Sequence, residues 1–389
     1  MSEVPSRASL DWLRRLVAHD TTSRNSNLAL IAEIRAYLDS AGIPSTLTHD
    51  DTGTKANLDA TIGPAERPGI ALSGHTDVVP VDGQDWSSDP FTLDERDGRL
   101  YGRGTCDMKG FLAACLAAVP AWKAAALTRP VHLCFSYDEE VGCLGVRKLL
   151  ADLDRRPVKP EAVIVGEPTG MQVVNGHKGK LSARARITGR ASHSALAPQG
   201  VNALTAAARL AVFAADLAER KAREGPFDPA FDVSHSTVHC GVLESGTALN
   251  IVPAAAYLDL EVRSLPDEDP EALFRDIRDY ADHHLVPAMQ AAAPETGIAW
   301  ERGAAFAGLD TDPAAAIVTL AKTLARQNAT AKVSFGTEAG MFARHGIPGI
   351  VCGPGHIAQA HKPDEFLDSD QLARCEAFLA RLTEHLLTA

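Results

Sequence analysis

A histidine and an aspartate two residues apart follow a short apolar run, and together they are able to form half of a metal site. His75 and Asp77 follow Gly69–Leu72 after two small residues, Ser73 and Gly74, a pattern typical of a buried strand that ends at a pocket. If the strand continues through both residues, their side chains point the same way. Asp77 can then hydrogen-bond one imidazole nitrogen and leave the other for a metal. A core histidine beside a capping aspartate is the alternative, and this stretch alone favours it.

Acidic residues recur at comparable positions further along the chain. Asp107 lies between a glycine-containing turn and the alanine-rich helix predicted at 111–119, where N-capping is the alternative role. Glu139 and Glu140 follow the buried strand predicted at 131–137, within a run of three carboxylates. A bound cation would offset the repulsion in that run, whereas a solvated turn would merely tolerate it. Because neighbouring side chains diverge, these two glutamates can take different roles.

A further acid and a second histidine complete the set. Glu167 comes just beyond the predicted strand 162–165, and His361 lies in a polar loop near the carboxyl end of the chain. Ligands of open α/β sheets bind beyond the carboxyl ends of the strands, so this recurrence favours one shared site. Histidine with carboxylates suits zinc, and also cobalt or manganese. Five ligands are too many for one open tetrahedral zinc site. They suit two metals about 3.5–4 Å apart that share a carboxylate.

The elements that must position these residues predict two domains. Strands and helices of an α/β catalytic domain are predicted over residues 1–180 and 303–389. Between them, the order β-α-β-β-α-β over residues 181–302 is the ferredoxin-like split pattern. The predicted strands are 181–188, 236–243, 256–264 and 296–302, and the predicted helices are 201–222 and 270–285. We therefore expect a mixed-sheet catalytic domain that carries an inserted α+β module.

Composition excludes several classes of protein. The 389 residues carry a net charge of −12, which argues against nucleic-acid binding or a polybasic membrane contact. The chain has no apolar run of about 20 residues, the length of a membrane span, and residues 1–20 do not form a signal-peptide pattern. Seven scattered cysteines fit reduced thiols, so we expect a cytoplasmic protein. The chain lacks GxSxG, GxGxxG and GxxxxGK[ST] motifs, which argues against serine hydrolysis and nucleotide binding.

Six segments together resemble the dizinc metallohydrolase family that includes acetylornithine deacetylase, succinyl-diaminopimelate desuccinylase, aminoacylase and glutamate carboxypeptidase. The segments are GHTDVVP, GRGTCDMKG, SYDEEVG, GEPT, ASHSALAPQGVNA and AHKPDEF, and the resemblance extends over nearly the whole chain. It implies a dizinc exopeptidase-like catalytic domain with an inserted lid and dimerisation domain. Two divalent metal ions are implied, zinc foremost and cobalt as the alternative. The implied assembly is a homodimer formed through the lid domain.

The resemblance also implies a role for each residue. The implied metal ligands are His75, Asp107, Glu140, Glu167 and His361, with Asp107 bridging. Asp77 would orient His75, Glu139 would be the general base, and His193 of the lid domain would reach the reacting carbonyl. A cis peptide is expected after Asp107. Met108 departs from many members, which carry an acid there, and puts only the local detail around the ligands in doubt.

The expected substrate is a small N-acyl amino acid. Residues 21–28, 176–179 and 336–339 resemble acetylornithine deacetylases, which predicts removal of the acetyl group of N²-acetyl-L-ornithine. Glu338 is then a candidate for the substrate ammonium and Arg263 for the carboxylate, with ordinary ion pairing as the alternative for both. Asn250 and the turn from Gly353 to Gly355 are further candidates. A desuccinylase, another deacylase, a carboxypeptidase and a non-catalytic metal-binding homologue remain alternatives.

Overall fold

The computed structural model describes residues 4–388, which divide into two compact units. The first unit comprises the residues up to Gly176, Leu309–Lys332, and the residues from Thr337 onward. The second comprises His177–Gly308 and Val333–Gly336.

The strands and helices follow in chain order. The strands are β1 (Ser45–His49), β2 (Ala56–Ile62), β3 (Ile70–His75), β4 (Asp94–Arg96), β5 (Arg99–Tyr101), β6 (Val131–Ser136), β7 (Ala162–Pro168), β8 (Val174–His177), β9 (Gly179–Thr188), β10 (Thr237–Ser245), β11 (Ala255–Ser264), β12 (Gly297–Phe306), β13 (Leu309–Asp310), β14 (Ala331–Val333), β15 (Gly349–Gly353) and β16 (Phe366–Asp368). The helices are α1 (Arg7–Val17), α2 (Leu28–Ser40), α3 (Gly110–Ala124), α4 (Leu144–Asp154), α5 (Ala203–Glu224), α6 (Pro270–Tyr280), α7 (Val286–Ala292), α8 (Ala316–Ala325), α9 (Ala339–Arg344) and α10 (Ser369–Thr388).

A mixed sheet is the framework of the first unit. Its order is β1-β2-β6-β3-β7-β15-β8-β13, and β14 pairs with β8. The four central strands β6, β3, β7 and β15 run parallel and are buried along their whole length. Because parallel strands end at the same edge, residues that follow them are brought together there.

Helix α3 fills the core next to this sheet and is longer than predicted. It continues from Val119 through Pro120 to Ala124. A proline within a helix removes the hydrogen bond to the carbonyl four residues earlier. Here the Tyr37 hydroxyl donates to that carbonyl, of Leu116, at 3.1 Å and so satisfies it. The sequence pattern ended the helix at the proline because this distant partner is not visible locally.

The second unit is built on an antiparallel sheet of order β10-β11-β9-β12. The chain order is β9-α5-β10-β11-α6-α7-β12, with a π-helical turn at Ala281–Leu285 between the last two helices. Strands β9 and β11 alternate buried and accessible residues, as expected for a sheet with one covered face. The predicted fold class, an α/β mixed sheet with an inserted ferredoxin-like module, is confirmed.

Among residues 4–388, no helix combines the length and apolar character needed to cross a bilayer.

Candidate metal centre

His75 is the last residue of β3 and its imidazole is buried. Its Nδ1 lies 2.8 Å from the backbone carbonyl of Asp77, which only accepts hydrogen bonds. In the neutral ring Nδ1 therefore carries the proton, and the lone pair of Nε2 is the one available to a metal. That nitrogen lies 3.0 Å from an Asp107 carboxylate oxygen and 3.6 Å from Glu167.

Asp107 lies in a π-helical turn between β5 and α3. The φ and ψ angles of Asp107 itself are not helical. Helix α3 begins after Lys109 without a side-chain cap, so the N-capping alternative does not hold. One carboxylate oxygen faces His75 and the other lies 3.1 Å from His361 Nε2. A carboxylate placed between two imidazole nitrogens has the arrangement that a bridging ligand requires. The expected cis peptide between Asp107 and Met108 is present.

Glu140 and Glu167 bring two more carboxylates to the same place. Glu140 Oε1 lies 3.2 Å from His361 Nε2. Glu167 occupies the carboxyl end of β7, next to β3 in the parallel sheet. All five predicted ligands therefore converge. Two overlapping groups of donor atoms fit a metal: His75 with Glu139 and Glu167, and His75 with Asp107 and Glu140. His361 adds a second imidazole nitrogen beside Asp107 and Glu140.

Buried acids of like charge dominate the electrostatics of this site. Burial raises the pKa of Glu139 to about 8 and that of Glu140 to about 6, and nearby carboxylates add to both increases. The contacts of His361 with Asp107 and Glu140 raise its pKa to about 10. Divalent cations would relieve this repulsion, so the charges as well as the donor atoms fit a metal centre.

Glu139 diverges from its neighbours, as predicted for consecutive carboxylates. Asp138 turns away to pair with Lys55 at 2.5 Å. The Glu139 carboxylate instead accepts a hydrogen bond from the buried Cys143 thiol at 3.3 Å. Its backbone is fixed by Asp77, which accepts from the amides of Glu139 at 3.0 Å and Glu140 at 3.3 Å.

This arrangement corrects the predicted contact of Asp77. Its carboxylate lies 3.6 Å from His75 Nδ1, beyond hydrogen-bonding distance, and the backbone carbonyl makes the contact instead. The reason is that β3 ends at His75, so the two side chains do not share a strand face. Ser23 donates to the same carboxylate at 2.7 Å. Asp77 therefore organises the loop of Glu139 and Glu140 rather than the imidazole.

His193 and Asn250 lie close together in the second unit. Residues 193 and 251 form an antiparallel bridge, and the Ser194 amide donates to the Asn250 carbonyl at 2.9 Å. His193 is exposed, and its Nδ1 accepts from the Ala195 amide at 3.1 Å. The proton of the neutral ring is therefore on Nε2, which is a free donor for a ligand oxygen.

Arg263 lies on β11 of the second unit and is already paired. Its Nε contacts Glu261 at 2.6 Å, and Lys180 contacts the same glutamate at 3.0 Å. The Arg263 side chain is 29% exposed and so retains accessible surface.

Glu338 does not suit its predicted contact with a substrate ammonium. It is 1% exposed, and its two carboxylate oxygens accept from the hydroxyls of Ser73, at 3.2 Å, and Ser136. Burial raises its pKa to about 7. A carboxylate enclosed in this way has no surface for a ligand.

Gly353 and Gly355 are also buried, and their roles are in packing. A Cβ at Gly353 would lie 1.9 Å from the Gly166 carbonyl, so only glycine lets β15 approach β7 beside Glu167. Gly355 has a φ of +87°, and a Cβ there would lie 2.6 Å from Cys106 Sγ. Their amides already donate, to Thr169 Oγ1 and Gln371 Oε1, which leaves neither for the predicted substrate contact.

Three residues that the sequence patterns did not single out support the site. Arg103 and Glu365 form a fully buried ion pair, and Gln84 hydrogen-bonds Arg103. The signal available in the sequence is an arginine between two glycines, in the segment that carries the predicted ligand Asp107. Buried arginines are rare unless paired.

A family comparison accounts for most of the chain. Residues 71–385 match the model of peptidase family M20/M25/M40. The chain belongs to this family. A Myxococcus xanthus protein named acetylornithine deacetylase is 37% identical over 382 residues, covering 96% of both chains. A Pasteurella multocida protein of the same name is 30% identical over 395 residues, covering 100% of both. Membership of the M20 family and these relatives indicate a metallohydrolase that acts on amide bonds.

Solved M20 structures share the fold. A metallo-carboxypeptidase from Sulfolobus solfataricus has a TM-score of 0.77 at 19% identity, covering 99% of this chain and 100% of that one. A dinuclear metal-binding peptidase from Bacillus subtilis has a TM-score of 0.66 at 17% identity, covering 97% of each.

Proposed function

We propose that this M20 member hydrolyses N²-acetyl-L-ornithine to L-ornithine and acetate. The observation that carries the proposal is the convergence of His75, Asp107, Glu140, Glu167 and His361 beside Glu139. The names of the full-length relatives support the choice of substrate. A protein that only binds metal needs no positioned base, which argues against a non-catalytic role.

The five converging side chains are the proposed ligands of two divalent metals, zinc foremost and cobalt as the alternative. Asp107 is the proposed bridge, because each of its oxygens faces a different histidine. Two such metals would supply Lewis-acid polarisation of the substrate carbonyl and a lowered pKa for water.

Glu139 is the proposed general base. Its carboxylate takes a proton from the attacking water and later gives it to the leaving amine. Water and the amide are thereby converted into acetate and the free amino group. Glu139 is held for this role by two contacts, Asp77 on its amide and Cys143 on its carboxylate.

Residues of the second unit are proposed to bind and polarise the substrate. The Nε2–H of His193 is the proposed donor to the carbonyl oxygen, whose negative charge grows during attack. Arg263 and Asn250 are proposed to hold the substrate carboxylate. Arginine suits this task because its guanidinium pairs with carboxylates through two parallel hydrogen bonds.

A substrate comparison tests the proposed function. The zinc- or cobalt-loaded protein is incubated with N²-acetyl-L-ornithine, N-succinyl-LL-diaminopimelate, several N-acetyl amino acids and a dipeptide, and the released amine is measured. We expect kcat/KM to be highest for N²-acetyl-L-ornithine. A higher value for the succinylated substrate or a dipeptide would replace the proposal with a desuccinylase or a peptidase.

The second unit is the proposed lid and dimerisation domain. Its helix α5 and edge strand β10 expose several apolar side chains: Leu204, Val212, Val242 and Leu243. Exposed apolar side chains in such number are typical of a protein interface. Burial of this surface against a second copy would form a two-fold dimer.

Mixing two inactive variants tests whether the partner completes the site. Glu139→Ala and His193→Ala are combined under conditions in which subunits exchange, and activity is measured. If His193 acts across the dimer, a mixed dimer has one intact site and activity partly returns. Absence of recovery after verified exchange would mean that His193 acts within its own chain or has only a structural role.

A further inference from the structure

Arg103 is enclosed in the first unit, with 0% of its surface exposed. A buried guanidinium is unfavourable unless its donors are paired. Its Nη1 contacts Glu365 at 2.6 Å, and its Nη2 donates to Gln84 Oε1 at 2.5 Å. The same cation therefore connects two separate loops.

Through Glu365, Arg103 reaches the backbone that carries Asp107. One oxygen of Glu365 pairs with Arg103, and the other accepts from the amides of Cys106 at 2.9 Å and Asp107 at 3.1 Å. The position of the Asp107 main chain is thus set by a carboxylate whose own position is set by Arg103.

Through Gln84, Arg103 reaches the loop that carries His361. Gln84 Nε2 donates to the His361 carbonyl at 3.0 Å. His361 has a φ of +65°, and Asp364 one of +55°, so two non-glycine residues of this loop adopt the left-handed conformation. That conformation is unfavourable and requires support from neighbouring groups. Besides Gln84, Ser87 supports the loop by donating to Asp364 at 2.8 and 2.9 Å from its amide and hydroxyl.

We propose that Arg103, Glu365 and Gln84 form a clamp that holds Asp107 and His361 at a fixed separation. These three are positioning residues, since they act through the two proposed ligands and not on the substrate. The proposal rests on the proposed function insofar as Asp107 and His361 bind metal. It assigns a role to the loop of residues 81–90, which supports His361 across the site.

The proposed clamp predicts different effects for substitutions of Gln84 and of Arg103. Of the two proposed ligands, Gln84 contacts only His361, and Arg103 keeps its ion pair with Glu365 when Gln84 is removed. Gln84→Ala should therefore weaken one metal site and spare the other. Arg103→Lys keeps a positive charge for Glu365, but a single ammonium cannot reproduce the forked contact with Glu365 and Gln84. That variant should weaken both sites, because it disturbs Asp107 as well as His361.

Zinc affinity of the metal-depleted protein measures this directly, by competition with a chromophoric chelator. We expect Gln84→Ala to weaken one of two dissociation constants about tenfold, and Arg103→Lys to weaken both by about 10–100-fold, the usual range for partners of ligands. His361→Ala identifies which constant belongs to the His361 side. Gln84 is only partly buried, so its variant is expected to fold even if Arg103→Lys does not.

Two matched variants serve as controls. Ser88→Ala alters the same loop, and Arg156→Lys alters a different arginine–carboxylate pair, the one with Asp59. Neither should change the zinc constants. The clamp is overturned if Gln84→Ala leaves both constants within about twofold of the wild type. It is also overturned if Gln84→Ala weakens both constants equally, or if the wild type binds fewer than two zinc ions. Two tightly bound zinc ions without hydrolysis of N²-acetyl-L-ornithine would contradict the proposed function alone.

Discussion

The sheets of the two units use charged side chains in different ways. In the first unit, β3, β6, β7 and β15 are buried at every residue, and ionisable groups other than cysteine occur near strand ends. His75 and Glu167 lie at carboxyl ends, and His132 lies near an amino end. In the second unit, β9 and β11 alternate, and their charged residues lie along the accessible face.

The partners of these charges differ accordingly. On the second sheet, Arg184 pairs with Asp259 on the neighbouring strand at 2.6 and 2.7 Å, an arrangement that is complete without a ligand. At the carboxyl edge of the first sheet, carboxylates face one another and their pKa values rise. An acid beyond a fully buried strand therefore indicates function more strongly than a charge on a half-exposed strand.

The largest effect is expected for Glu139. Glu139→Gln removes the base but keeps the size of the side chain, so kcat/KM should fall by about 10²–10⁴-fold, the usual contribution of a general base. Kinetics and metal content are measured together, and the metal content should not change. Loss of a metal would instead make Glu139 a ligand, in line with its proximity to His75 and Glu167.

A smaller loss of activity is expected when Asp77 is substituted. This substitution tests whether the loop of Glu139 and Glu140 is held by contacts with a distant segment. Asp77→Asn keeps only one acceptor oxygen where two now serve the amides of Glu139 and Glu140. We expect kcat to fall about 10–100-fold, as for other supporting residues at metal sites. Ser23→Ala removes only the third contact of this carboxylate and is the milder control. Equal activity of wild type and Asp77→Asn would show that these contacts do not position the base.

His132 lies in the same buried sheet, near the amino end of β6, and its titration tests the burial of that end. Burial, with a contribution from Arg156, lowers the pKa of His132 from 6.5 to about 4. Above pH 6.5 the ring is neutral in both states and its contribution to stability is complete. As the pH falls from 6.5 toward 4, His132 binds a proton in the unfolded chain but not in the folded chain. The free energy of unfolding therefore decreases, by up to about 3 kcal/mol.

Chemical unfolding of the metal-depleted protein at several pH values measures this contribution. His132→Gln lacks the titrating group, so its unfolding free energy should fall less steeply over that range than that of the wild type. An equally steep fall of the unfolding free energy with pH in the two proteins would contradict a buried neutral His132.

The smallest effect is expected on the second sheet. Arg184→Met removes an accessible ion pair between β9 and β11, and such pairs contribute little to stability. We expect the thermal midpoint to be unchanged within error and kcat/KM to stay within about twofold. A large loss of either would remove the contrast between the two sheets.

The sequence predicted those parts of the site that depend on local pattern. Buried strands followed by His75, Glu140 and Glu167 were recognisable because apolar runs ended abruptly in polar residues. The fold of the inserted module was recognisable because its strands alternate and its helices are amphipathic. The assignment of the individual ligands came from resemblance to the family.

The parts that were not predictable depend on contacts between distant segments. Asp77 meets the Glu139 amide 62 positions away, and Glu338 is enclosed by the hydroxyls of Ser73 and Ser136. Gly353 is required by a carbonyl of β7, not by a ligand. Each of these depends on how the strands are ordered in the sheet, which the local sequence does not reveal.

The most direct test is the rate of ornithine formation from N²-acetyl-L-ornithine as zinc is titrated into the metal-depleted protein. We expect activity to rise with added zinc, to reach its maximum at two equivalents per chain, and to stay near background at every ratio in Glu139→Gln. Formation of no ornithine at any ratio, or a rate independent of zinc, would contradict a two-metal hydrolytic site at the carboxyl edge of the first sheet.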